Sequence, residues 1–199
     1  MSTIHRRAPL AALLGLLAAL GAGCADPTLD AAIAALPAEE ASIRPGPMHR
    51  AGQPCTLCHS DAGGRRPAFA VAGTLYQKVD SDIPIEGATI HLTDATGATY
   101  DVTSNCAGNF YVEEQKWLPT FPLFVEITYS DGTSGGGASG TTYQATMKTK
   151  IGRDTACASC HTDPPGPTSP GRVFLTSDPN VPDFPRPALD CNGRGGRGG

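Results

Sequence analysis

Two pentapeptides of one pattern, Cys55-Thr56-Leu57-Cys58-His59 and Cys157-Ala158-Ser159-Cys160-His161, constrain this chain more than any other feature. The spacing has a chemical reason. Two thiols three positions apart can each form a thioether to one vinyl group of a single haem, and the histidine that follows then falls under the iron as its proximal ligand. A redox dithiol does not need the fifth residue. A four-cysteine zinc site usually brings its pairs within about 15–20 residues, whereas 98 residues lie between Cys58 and Cys157. The expected cofactor is therefore two haem c groups, held through Cys55, Cys58, Cys157 and Cys160 with His59 and His161 on iron.

The N-terminus agrees with a group that is attached outside the cytoplasm. Arg6-Arg7 precede an apolar run from Leu10 to Leu20, too short to span a bilayer, which takes about 20 apolar residues. Residues 1–23 therefore read as a signal peptide. Leu20-Gly21-Ala22-Gly23-Cys24 resembles a lipobox, which implies acylation of Cys24 and attachment to a membrane. Gly21 stands where such motifs prefer leucine. The expected location is the bacterial periplasm or the outer-membrane or cell surface. Losing Arg6 and Arg7 with the leader takes the formal charge from −4 to −6. That balance argues against nucleic acid and favours redox protein partners with a basic patch. Cys106 and Cys191 remain, and a leftover pair in an oxidising compartment is expected to form a disulfide.

Residues 24–54 read as a lipid-anchored tether, with a short helix at Asp30–Leu36 and breaks at Pro37, Pro45, Pro47 and Pro54. Residues 55–66 and 151–176 are the two haem-binding segments, and 177–199 a disordered Pro/Gly-rich tail in which Gly-Arg repeats are too few to suggest RNA binding. Between the motifs the period is two. Runs at Phe69–Tyr76, Ala88–Thr93, Thr99–Thr103, Asn109–Glu113, Leu123–Tyr129 and Thr141–Lys148 are separated by turn residues such as Asp94-Ala95-Thr96-Gly97. The fold expected is mainly β: one small β-sandwich of about six antiparallel strands, with Arg172–Leu175 as a possible short addition. With six strands that alternate in direction, the first starts and the last ends at the same end of the sandwich, which puts both haem motifs there.

Two resemblances follow from these residues. The paired Cys-x-x-Cys-His motifs resemble those of dihaem c-type cytochromes. Ala72-Gly73-Thr74-Leu75-Tyr76, Ile85-Glu86-Gly87-Ala88-Thr89-Ile90, Asp94-Ala95-Thr96-Gly97 and Gly108-Asn109-Phe110-Tyr111 resemble the carboxypeptidase regulatory-like family, a transthyretin-like β-sandwich, over residues 67–150. That second resemblance implies a fold and no catalysis, and the family does not normally carry haem.

The sixth position on each iron decides the chemistry. His49, close before Cys55 on a segment able to bend back, is the expected distal ligand. Met147 and His91 are the alternatives; core packing is the commoner fate of the first, a surface position that of the second. The function expected is electron transfer outside the cytoplasm, by a non-enzyme with no catalytic residues. The alternatives are a dihaem enzyme of peroxidase type with one open iron, and a non-catalytic surface interaction or sensor module carrying haem.

Overall fold

The computed structural model describes residues 26–43, 45–132 and 140–185. The signal peptide, Cys24 and Cys191 lie outside the described residues, and no helix among the described residues is long and apolar enough to cross a membrane. The chain divides into two compact units, Met1–Ala35 and Leu36–Gly199. The first holds helix α1, Pro27–Ala34. The Asp26 carboxylate caps it by accepting from the Thr28 and Leu29 N–H groups at 3.0 and 3.2 Å, and Pro27 begins it, the usual chemistry of a helix start.

The second unit is a small β-sandwich of two sheets. Strands β1 (Phe69–Tyr76), β4 (Asn109–Glu113) and β7 (Val173–Phe174) form one, in the order β4-β1-β7. Strands β2 (Thr89–Thr93), β3 (Thr99–Thr103), β5 (Phe124–Ser130) and β6 (Thr142–Thr146) form the other, in the order β3-β2-β5-β6. All pairings are antiparallel except β1 with β7. Val71, Leu75, Ile85, Ile90, Leu92, Phe110, Val112 and Leu123 fill the space between the sheets. Each such side chain contributes about 1.5–3 kcal/mol when taken out of water.

Two features of β1 position everything that follows. Its eight residues are buried on both faces but for partly exposed Tyr76, unlike the alternating burial of β2, so something covers its outer side. A shift in register between Phe69 and Val71 also turns Phe69 out of the core alternation; such bulges re-aim a side chain. Phe69 instead stacks on the Tyr111 ring, at 4.6 Å between centroids.

The chain on either side of the sandwich is ordered further than its composition suggests. Residues 36–54, expected to be spacer, belong to the compact unit and are bonded to it through Pro47, His49 and Gly52. In the expected tail, Phe184 is buried with its ring against Tyr129 and Tyr143. The fully buried Gln77 carboxamide holds that strap: its amide nitrogen Nε2 donates to the Pro182 carbonyl at 2.6 Å, and Oε1 accepts from the Phe184 N–H at 3.1 Å. One aromatic anchor and two hydrogen bonds are enough to order a proline-rich strand that has no periodicity of its own. Cys106 is disulfide-bonded.

Candidate haem-binding site

Both Cys-x-x-Cys-His motifs lie along β1. The first begins in a one-turn 3-10 helix, Cys55–Leu57, and its His59 carbonyl accepts from the Phe69 N–H at 2.9 Å. The second forms the one-turn helix α2, Cys157–Cys160. It is delivered by Ala156, which bridges Ala72 in parallel, with the Ala72 N–H donating to the Thr155 carbonyl at 3.0 Å. Tyr76 touches both neighbourhoods. A side chain on Gly52 would meet its phenol oxygen at 2.8 Å, and the Arg172 guanidinium sits 4.8 Å from its ring centroid.

Glycine permits both close approaches. A Cβ on Gly73 would stand 2.7 Å from Cys157 Sγ and 2.7 Å from Phe110 Cζ, so Cys157 reaches the strand only because that side chain is missing. A Cβ on Gly63 would run into the Leu57 and Cys58 carbonyls, which it must pass for the chain to fold back after His59.

The two motif histidines are held alike. After each motif the chain loops back and offers a backbone carbonyl to the ring. His59 Nδ1–H donates to the Pro67 carbonyl at 2.9 Å, and His161 Nδ1–H to the Gly171 carbonyl at 2.9 Å. The second loop is closed by Ser169, whose hydroxyl donates to the Thr162 carbonyl at 2.8 Å and accepts from the Thr162 and Gly171 N–H groups at 2.8 and 3.1 Å. A carbonyl on Nδ1 fixes the tautomer and leaves the Nε2 lone pair for a metal, the arrangement that metal-ligating histidines usually adopt. The residues therefore fit the group that the motifs imply.

The thiols fit it as well. Burial pushes Cys55 up to about 11. Burial, followed by the neighbouring Cys55, pushes Cys157 up to about 12. These are neutral thiols in apolar surroundings, opposite to the lowered values of redox and nucleophilic cysteines. The four motif thiols are free.

His49 lies beside the first motif. Its ring centroid is 5.8 Å from that of His59, with the planes inclined at 51°. Two imidazoles sharing one metal through bonds of about 2 Å stand about 6 Å apart at their centroids. His49 Nδ1–H donates to the Gly46 carbonyl, so its Nε2 is left for a ligand in the same way. His59 also stacks on Phe69, at 4.3 Å and 13°; the bulge in β1 re-aims Phe69 for that support.

The two alternative ligands stand on the opposite sheet. His91, on β2, points away from the core and pairs through Nδ1 with Asp101 of β3. Met147 packs against the core just beyond β6, its N–H donating to the Val125 carbonyl at 3.1 Å. The residues that hold the site but were not singled out from sequence are Thr74, Asn105, Asn109, Ser169, Pro67 and Gly171. In the sequence, Thr74 and Asn109 are ordinary polar residues of two period-two runs; only the structure shows them to be buried.

Comparison of the chain with protein-family models, with curated proteins and with solved structures finds no match.

Proposed function

We propose that this protein is a dihaem c-type cytochrome that carries electrons outside the cytoplasm, held to a membrane by lipid on Cys24. The observation that carries the reading is the repeated geometry of the two motifs. Each has a Cys-x-x-Cys helical turn on β1 and a histidine whose Nδ1 is engaged by a returning carbonyl.

Cys55 and Cys58 would hold one haem and Cys157 and Cys160 the other, with His59 and His161 as proximal ligands and His49 as the distal ligand of the first. Bound haem supplies reversible one-electron chemistry at iron. The chain's own contribution is to fix the imidazoles, shelter the thioether positions and bring both attachment points to one strand. Paired histidine ligation also sets a lower potential than histidine with methionine. The formal charge of −6 that remains without the leader suits a donor or acceptor with a basic docking face.

Spectroelectrochemistry of the holoprotein, produced in a host that matures c-type cytochromes, tests this. Two reversible one-electron steps and slow reaction with hydrogen peroxide are expected. Rapid peroxide turnover would move the chain to the enzyme class, and absence of covalent haem would end the reading.

A further inference from the structure

His49 does not reach His59 by chance of a loose linker. The Asn109 Nδ2 group donates to the His49 carbonyl at 3.2 Å and to the Pro47 carbonyl at 3.2 Å. Its Oδ1 accepts from the Thr74 hydroxyl at 2.7 Å, and Thr74 Oγ1 in turn accepts from the Gly52 N–H at 2.7 Å. Thr74 and Asn109 are register partners on β1 and β4, exposed by only 4 % and 5 %. Asn105 Nδ2 adds a second donor to the Pro47 carbonyl, at 2.8 Å.

Between the two held points the backbone is in a costly conformation. Arg50 has φ of 53°, in the left-handed region that a residue with a side chain seldom adopts. Strain of this kind persists where surrounding contacts over-determine it. Here the carbonyl before Arg50 and the N–H two residues after it are both tied to one buried pair. The Arg50 side chain is tied down too, donating to the Pro37 carbonyl and to Gln53 Oε1 at 3.1 and 2.8 Å.

We infer that Thr74 and Asn109 are positioning residues: a buried pair in the sandwich that holds residues 47–52 taut and so presents His49 as the second axial ligand of the first haem. Neither is one of the residues that would ligate the iron. Burying two polar side chains on adjacent strands is justified only if every bond is made, and their partners beyond each other, Pro47, His49 and Gly52, all lie in this one segment. The sandwich thus sets a ligand field as well as providing a support. The inference rests on the haem reading above.

Asn109→Asp keeps the shape and the acceptor from Thr74 but cannot donate to the two carbonyls. Its holoprotein is expected to lose the low-spin EPR signal of the first haem, gain a high-spin signal in its place, and bind one more equivalent of carbon monoxide per chain when reduced than wild type does. Thr74→Val, which keeps volume and removes the hydroxyl, is expected to act the same way, and Thr74→Ser to restore the wild-type spectrum. The second haem's signal stays unchanged in all three, which reports that the sandwich is folded. Hydrogen exchange at residues 46–53 should rise in the first two. An unchanged low-spin signal from the first haem in both Asn109→Asp and Thr74→Val, with His49→Ala showing the loss, would overturn the inference and leave the reading standing. A wild-type protein without covalent haem would overturn both.

Discussion

The two motifs occupy the same strand and use the same return loop, yet they are finished differently. The first is covered by residues 46–53, which bring a second histidine within 5.8 Å of His59. The second is covered by residues 162–175, which contribute Ser169, the Gly171 carbonyl and Arg172 but contain no histidine or methionine. A duplicated attachment signal thus does not specify duplicated coordination. On the haem reading, the signal would fix where each group is joined, and the chain packed over it would decide which further ligand it meets.

The largest separation of the two sites should come from His49→Ala. It is expected to convert the first haem from low to high spin and raise its potential, while the second is untouched. EPR with a redox titration measures both. If instead the second haem responds, His49 crosses to the other iron and the asymmetry described here is reversed.

Gly63→Ala and Gly73→Ala form a matched pair for the two close approaches that glycine permits. The first substitution drives a methyl group into backbone carbonyls of the first motif, and the second drives one into Cys157 Sγ and Phe110. Overpacking of this kind costs about 1–3 kcal/mol. Gly63→Ala is expected at the upper end, because backbone cannot rotate out of the way, with the optical change confined to the first haem. Gly73→Ala should be milder and affect the second. Thermal melts followed at the Soret band of each variant check the order.

Much of the sandwich was legible from residues alone, because alternation and turn chemistry are local. Strands β1, β3 and β4 begin and end where period-two patterning puts them, and the short Arg172–Leu175 run does pair, as β7. Placing both motifs together was expected from strand parity. In the structure they meet because each attaches to β1 itself, the second through the parallel Ala72–Ala156 bridge. What could not be read was every contact made by a segment without a period. Residues 46–53 and 177–185 are rich in proline and glycine, and they are ordered by single buried side chains far away in sequence: Asn109, Thr74 and Gln77. The unbroken burial of β1, with only Ala70, Ala72 and Thr74 on its outer positions, was the one available hint that a second layer lies over it.

Asp94 provides a region remote in sequence from both motifs against which to judge them. Its Oδ1 accepts from the Thr96 hydroxyl and the Thr96 and Ala98 N–H groups, and Oδ2 from the Thr120 N–H at 3.0 Å. The Thr96 hydroxyl above all, then the Thr120 N–H, hold its carboxyl at about 2, below the ordinary 3.8. A lowered folded-state value stabilises above the unfolded one, and the benefit fades as pH falls from about 4 through about 2. Asp94→Asn should lower the melting temperature by a few degrees near neutrality. The difference should narrow towards pH 2 and close below it, with both haem spectra unchanged near neutrality.

The central claim is two covalent groups, one on each motif. Intact mass after acid–acetone extraction measures it directly, on wild type, on Cys55→Ser/Cys58→Ser and on Cys157→Ser/Cys160→Ser, all from a cytochrome-maturing host. The account predicts two retained haems in the first and one in each of the others. A wild-type mass with no covalent haem, or loss of both when either pair is removed from a folded chain, would contradict it.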